Sequence, residues 1–335
     1  MGKCAIIEKL VEPSSFGAFM AVCRSSLNQW IFIVLNSEYF NNYLDESNST
    51  TINQVTQKML LDFIIPVPPR TEQIRIVRAV EEWFSIIDKI EEEKTDLENV
   101  IKQAKSKILD FAIHGKLVPQ DPDDEPAIEL LRRINPDFQP CDNAHYIFGV
   151  PKEWCICRLK DLCSFLSRGK SPKYSNVKQY PVFAQKCNRK DGTISIEKAQ
   201  FLDPDTINKW PDVYKLNDKD ILINSTGTGT VGRVGYFTID KIEAYPFIVP
   251  DSHVSVVRLS NGIVTKFVYY HLNTKITQSY IEDNLAGSTN QKELYIGVLE
   301  NITICLPPYA EQQRIVAKIE ELFATLDKIK ESLDV

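Results

Sequence analysis

PPRTEQIRIV, residues 68–77, returns 239 residues later as PPYAEQQRIV, residues 307–316, with seven of the ten positions identical. Two adjacent prolines suit a strand end followed by a helix start, where a missing N–H costs nothing. Glu72 and Glu311 then fall in the first turn, against the positive end of the helix dipole. The likeness extends in both directions. Downstream, EEWFSIIDKIEE (81–92) parallels EELFATLDKIKE (320–331); upstream, Asn53-Gln54 and DFIIPVPP match Asn290-Gln291 and ENITICLPP, with a two-residue length difference. Each copy therefore predicts a polar turn, a short helix, a β-branched strand (FIIPV, ITICL), Pro-Pro and a long helix.

The helix after the first junction carries apolar residues at Val77, Val80, Phe84 and Ile87. After one phase slip they resume at Ile90, Leu97, Ile101, Ala104, Ile108 and Phe111, before His114-Gly115 supplies a stop. This is an a/d pattern over about 40 residues, roughly 60 Å of helix. The second copy repeats it at Val316, Ile319, Phe323, Leu326 and Leu333. Two such stripes in a duplicated unit predict an antiparallel coiled coil through Val77, Val80, Phe84, Ile87, Leu97, Ile101 and Ile108 against Val316, Ile319, Phe323 and Leu326. A helix lying alone on a globular core is the plainer alternative.

With 335 residues, 43% hydrophobic and 25% charged, the composition is that of a water-soluble chain of about two domains. No run of about 18 apolar residues occurs, so no membrane span is expected. The start, MGKCAIIEKLVEP, reads neither as a secretory signal nor as a myristoylation site, since Ile6 stands where Ser or Thr is required. The expected location is cytoplasmic. Eight scattered cysteines then read as reduced thiols. Cys155, Cys157 and Cys163 are too tightly spaced for a zinc knuckle and fit an alternating strand, CICRL.

The net charge of −6 would discourage nucleic-acid binding, but it is unevenly distributed. Residues 1–142 carry a net −8, residues 143–308 a net +4 and residues 309–335 a net −2. Electrostatic footprints are local. Within the middle segment, CSFLSRGKSPKYSNVKQYPVFAQKCNRK (163–190) holds seven cations and no acid. Such charges suit phosphates, while Tyr174, Gln185 and Asn188 could read base edges.

The segment after GKLVPQDPDDEPAIELLRRI (115–134), with its short helix from about Ala127, predicts a mixed domain. Its expected strands are 181–184, 192–196, 220–225, 231–239 and 252–259, with a helix over 265–274. GTGTVG (227–232) spells a dinucleotide fingerprint after a strand, yet RVGYFTI follows it instead of a helix. With no helix N-terminus to hold a pyrophosphate, it reads as a glycine-rich strand connection. NPDF (135–138) lacks the second proline of an amino-methyltransferase motif. Four histidines without ligand-spaced companions leave no acid–base or metal site. No catalytic residue and no metal ligand is assigned.

In their order, these pieces resemble the specificity subunit of type I restriction–modification enzymes. The resemblance rests on the twice-used PPxxEQxRIV, on GKLVPQDPDDEPAIELLRRI, on VPKEWCICRLKDL (150–162) and on DILINSTGTGTVGRVGYF (220–237). It implies an α+β chain in which target-recognition domains alternate with paired long helices. Residues 1–70 correspond to the last part of a first recognition domain, lacking roughly its first hundred residues. Residues 71–114 are the first helix, 115–142 a connector, 143–308 a complete second recognition domain and 309–335 a shortened second helix. The implied role is non-catalytic recognition of double-stranded DNA, one half-site per domain. The helices dock methyltransferase subunits, to which restriction subunits can be added. No cofactor is expected on this chain, S-adenosylmethionine and ATP belonging to the partners. Charge, loop position and the resemblance together nominate Arg168, Lys170, Lys173, Lys186, Asn188, Arg189, Lys190, Ser225, Thr226, Thr228, Arg233 and His253 as DNA contacts. Two alternatives stand beside this: an assembly scaffold or truncated regulatory subunit that reads no DNA, and a half-type subunit that self-associates to read a palindromic bipartite site.

Overall fold

Helix α1 (Asn28–Leu35) is the first helix among the described residues, followed by α2 (Glu38–Ser47), α3 (Gln57–Asp62) and the 44-residue α4 (Arg70–Ile113). The computed structural model describes residues 3–7, 9, 12–17, 19–47, 55–140, 149–242, 245–287 and 292–332. Asn53, Gln54, Asn290, Gln291, Leu333, Cys141 and His145 lie outside the described residues. The chain divides into two compact units, Met1–Leu97 and Glu98–Val335, with the division falling inside α4.

In the first unit, Trp30, Val34, Phe40, Leu44 and Phe63 form a small core under α1 and α2. The indole of Trp30 donates to the Pro66 carbonyl (2.8 Å), and the Tyr39 hydroxyl donates to that of Ile64 (3.0 Å). FIIPV, predicted as a strand, is not one: among the described residues 1–97 no second strand lies beside it. An extended segment without a ladder partner does not become a strand, whatever its β propensity.

The second unit begins with the C-terminal part of α4. Gly115 stops the helix at φ +66, with the Lys116 amide bonded back to the Phe111 carbonyl at 2.9 Å. A Cβ at this position would meet Pro151 Cγ at 2.5 Å, so glycine is required here by both conformation and space. Helix α5 (Ala127–Ile134) follows as expected. Among the described residues, ten strands then build three sheets. β1 (Cys155–Arg158) pairs antiparallel with β10 (Thr303–Leu306). The second sheet runs in the order β2 (Cys163–Arg168), β9 (Val254–Leu259), β6 (Ile221–Asn224), β7 (Val234–Tyr236), all antiparallel. The third, β3 (Tyr174–Ser175), β5 (Gln200–Leu202), β4 (Pro181–Phe183) and β8 (Val249–Pro250), closes on a parallel β4–β8 pair.

Continuous apolar runs explain the buried strands: Ile221, Leu222 and Ile223 are all fully buried, as are Val254 and Val257. Each such side chain contributes about 1.5–3 kcal/mol on leaving water. Residues 192–196 are not a strand. Asp191 Oδ1 accepts the Thr193 amide (2.9 Å) and hydroxyl (2.6 Å), and Gly192 sits at φ +83, so local side-chain bonding makes a turn instead. The strand expected over 231–239 shrinks to β7: the Thr230 and Val231 amides turn back on the Gly227 carbonyl and the Arg233 amide on that of Thr230. Beyond β9 come α6 (Thr265–Leu272), α7 (Lys275–Asp283), α8 (Ile296–Glu300) and, after Pro307-Pro308, α9 (Tyr309–Glu331).

The duplication is structural as well as textual. α1, α2, α3, Pro-Pro and α4 recur as α6, α7, α8, Pro-Pro and α9 in the same order. Within the second unit, α9 runs antiparallel to the end of α4: Lys105 pairs with Asp327, and Lys330 approaches Glu98 at 3.9 Å. The Lys105 ammonium also lies over the Phe323 ring at 5.0 Å.

Candidate nucleic-acid interface

The antiparallel register of the second sheet sends three loops out of one end. β2 leaves the sheet at Arg168 opposite Ser255, β6 leaves at Asn224 opposite Val254, and β7 enters at Val234 opposite Ile223. Residues 169–173, 225–233 and 251–253 therefore share one edge. The segment 185–190 joins them through Asn188, whose amide nitrogen donates to the carbonyls of Leu222 (3.3 Å) and Arg233 (3.0 Å). Gly227, at φ +105, packs so tightly on this segment that a Cβ would lie 2.1 Å from Gln185 Oε1. No helix follows the glycine loop, in accord with its reading as a strand connection.

The nominated residues fall into three groups. Lys186, Lys190, Thr228 and His253 are exposed at or beside this edge. His253 Nδ1 is 2.7 Å from the Thr226 hydroxyl, and its amide donates to Asp251 Oδ1 at 2.8 Å, so the imidazole is held at the rim. A second group is cationic but engaged. Arg168 pairs with Glu293, Lys173 with Asp203 at 2.7 Å, and Arg189 with Glu197 at 2.6 Å. Lys170 donates to the Lys209 carbonyl (3.1 Å) and lies over the Tyr214 ring at 4.2 Å; Arg233 donates to the Asn188 carbonyl at 2.7 Å. The third group is interior. Asn188 and Ser225 are fully buried, and the Ser225 hydroxyl is bonded to that of Ser255 at 2.6 Å. Neither can touch a base from there. They are corrected to framework residues: Asn188 ties the 185–190 segment to the sheet, with its Oδ1 against Gly235.

The acid-free sequence 163–190 is thus not an acid-free surface. Asp203, Glu197 and Glu293 arrive from elsewhere in the chain to pair with Lys173, Arg189 and Arg168. Asp251 sits buried behind the rim, its carboxyl pushed up by burial and pulled the other way by His253, Arg168 and Lys186. What remains unpaired is smaller. Lys178 and Lys190 are exposed and make no hydrogen bond or ion pair among the described residues. Lys186 acts on Asp251 through space only. Beside the glycine loop lies a cavity of about 400 Å³ lined by Thr228, Gly229, Gln278, Glu282 and Lys292. Charge runs could not reveal Asp251 or Glu293. An alternation of buried strand and turn around Pro250-Asp251 was the one signal available.

Along the helices, Ile101, Val316 and Ile319 are buried, and Leu97, Ile108, Phe323 and Leu326 are half-buried. Val77 is buried and Val80 half-buried, both in the first unit. Phe84 and Ile87 depart from expectation: they are 60% and 45% exposed, with Trp83 at 67%. Within the second unit, Lys330 near the end of α9 stands opposite Glu98. Cys155 and Cys157 are buried in β1, as the strand reading required. No helix among the described residues is long and apolar enough to cross a membrane.

Comparison with known proteins gives consistent results. The sequence model of the type I restriction modification DNA specificity domain matches residues 2–102 and 151–334. The chain is 25% identical over 379 residues to the type I restriction enzyme EcoEI specificity subunit of Escherichia coli, covering 92% of this chain and 62% of that protein. It is 28% identical over 310 residues to the EcoDI specificity subunit of the same species, covering 87% and 62%. It also resembles, with a TM-score of 0.64 and 20% identity, a chain solved in work on complex assembly and conformational transition of the type I R-M system. That match covers 91% of this chain and 66% of the other. The chain thus spans about three-fifths of the length of these curated relatives.

Proposed function

Because the chain belongs to the type I restriction–modification DNA specificity family, we propose that it is a non-catalytic DNA-recognition subunit whose recognition domain grips one half-site. The observation that carries this reading is the gathering of Lys186, Lys190, Thr228 and His253 at one end of the β2-β9-β6-β7 sheet, on a framework fixed by Asn188, Asp251 and the glycine loop. Lysines there suit phosphates, while His253 and Thr228 offer donors and acceptors to base edges. Arg168, Lys173 and Arg189 serve the same surface by exchanging a carboxylate partner for a phosphate. Methyl transfer and ATP-driven steps belong to partner subunits that bring S-adenosylmethionine and ATP. The long helices dock those methyltransferase subunits.

The test is direct. Lys186→Ala/Lys190→Ala should weaken binding of a cognate duplex, and the slope of log K against log salt should flatten by about 0.9 for each phosphate contact removed. Unchanged affinity and slope would overturn the assignment. Binding to methyltransferase subunits with no protection of any duplex would favour the scaffold reading instead.

A further inference from the structure

The His253 ring at the rim of the recognition edge is held by a single side chain, and the way it is held decides what it can offer a base. The backbone of His253 is tied to the framework on both sides: its amide donates to Asp251 Oδ1 (2.8 Å), and its carbonyl accepts the Ser225 amide (2.8 Å). Asp251 is 3% exposed and Ser225 is fully buried, so both anchors belong to the interior. The Ser225 bond lays Thr226 beside the imidazole, where the Thr226 hydroxyl is 2.7 Å from Nδ1. Thr226 is fixed in turn by an antiparallel bridge to Glu293 and by the Thr230 hydroxyl, which donates to its carbonyl at 3.3 Å.

Hydrogen-bond accounting selects one form of this ring. A hydroxyl has one proton to give, and a neutral imidazole has one N–H and one lone pair. If Thr226 donates to Nδ1, that lone pair and the hydroxyl proton are both used, and the ring proton sits on Nε2. If the ring proton sat on Nδ1, the Thr226 oxygen would accept it, and the hydroxyl proton would find no acceptor among the described residues. The first arrangement wastes nothing. Its consequence appears on the other ring nitrogen, because the partner of one nitrogen sets the role of the second. Nε2 becomes a donor; it makes no hydrogen bond among the described residues, and His253 is exposed. An imidazolium would donate from Nε2 as well, so protonation does not reverse the role.

We propose that Thr226 is a positioning residue that holds His253 as an outward hydrogen-bond donor, and that this donor selects guanine at one position of the half-site. In the major groove cytosine presents only an amino donor, which a second donor opposes. Guanine presents two adjacent acceptors, N7 and O6; adenine sets its amino group beside N7, and thymine its methyl group beside O4. A lone N–H therefore meets guanine best and cytosine worst. Thr226, nominated as a contact in its own right, acts instead through His253. The inference rests on the DNA-reading proposal above and deepens it by naming the base.

Two measurements on the full chain test the two halves of this proposal. Nitrogen-15 NMR of histidine-labelled protein at about pH 8.5, where an ordinary histidine is neutral, reads the ring proton without any DNA. With four histidines in the chain, single substitutions assign the signals. The proton is expected on Nε2 of His253, and Thr226→Val should let the two tautomers mix. A proton on Nδ1, or indifference to Thr226→Val, would overturn the proposal. Selection from a pool of randomised duplexes then reads the base. The wild-type chain should enrich guanine and exclude cytosine at one position. His253→Ala and Thr226→Val should each lose that preference by about fivefold, the worth of one hydrogen bond, while the other positions keep theirs. Thr226→Ser, which retains the hydroxyl, should restore it. Loss spread evenly over all positions would mean that His253 meets a phosphate or only supports the fold, and would overturn the proposal, as would a preference that survives both variants. If the wild-type chain enriches no sequence at all, the DNA-reading proposal itself falls and this one falls with it, whatever the tautomer.

Discussion

Asp220 is fully buried and depends on one cation. Arg258 donates to it twice, at 2.8 and 2.7 Å, while the Asn217 amide supplies a third bond at 2.8 Å. Burial still pushes the Asp220 carboxyl up despite these donors. Removing the guanidinium strands a desolvated carboxylate, so Arg258→Ala should cost about 3–5 kcal/mol in urea denaturation. Arg258→Ala/Asp220→Asn should recover part of that loss. His271 is the complementary case. It is buried among Phe267, Thr277 and Cys305, and burial lowers its pKa to about 4, with His114 acting in the same sense. From pH 6.5 down to about 4 the unfolded chain binds a proton that the folded chain refuses. Stability should therefore fall as pH falls, by about 1.4 kcal/mol per unit within that window. Glu311, raised by burial, changes in the opposite direction, so the diagnostic is the slope. His271→Gln should flatten the urea-midpoint profile between pH 7 and 5. At this scale the sequence was least legible. Arg168, Lys173 and Arg189 are visible as cations, but their pairing with Glu293, Asp203 and Glu197 depends on tertiary folding over distances no local pattern encodes.

At the scale of elements, the Pro-Pro junction was readable because its physics is local. Proline opens the helix, and the glutamine four residues after the second proline ties the turn down. Gln73 donates to the Pro68 carbonyl at 2.7 Å, and Gln312 to that of Pro307 at 2.9 Å. The second halves of the two amides differ. Gln312 Oε1 accepts the half-buried Val264 amide at 2.9 Å, while Oε1 of Gln73, itself buried, meets the exposed Arg70 guanidinium at 3.3 Å. Gln312→Ala leaves the half-buried Val264 N–H and the buried Pro307 C=O unpaired and should cost about 2–4 kcal/mol; Gln73→Ala leaves only the half-buried Pro68 C=O and should cost about 1 kcal/mol. Equal losses in thermal melts of the two variants would show that both copies bury the contact alike. The failed strand at FIIPV has the converse cause. Its pattern is like that of ITICL, yet strandedness belongs to a pair, and among the described residues only ITICL has one.

For the whole molecule, periodicity announced a long amphipathic helix but not how much of its stripe a partner helix would cover. That depends on tertiary packing, which a local period does not encode. Between 83 and 90, Trp83, Phe84, Ile86, Ile87 and Ile90 are all 45% exposed or more, an apolar density that isolated surface residues do not reach. Under the proposed function, this stretch of α4 is where a methyltransferase subunit would seat. Phe84→Asp/Ile87→Asp should then abolish co-purification with that subunit. The circular dichroism of the chain should stay unchanged, because these side chains contribute little to either core. The Lys186→Ala/Lys190→Ala chain should behave in the opposite manner, assembling normally while losing its hold on DNA. The two lesions act at separate surfaces, so their effects should be independent, and the quadruple variant should lose both properties without further destabilisation. If the helix variant instead lowered the mass of the chain in solution, the stripe would be holding a second copy. The self-associating, half-type reading would then displace the docking one.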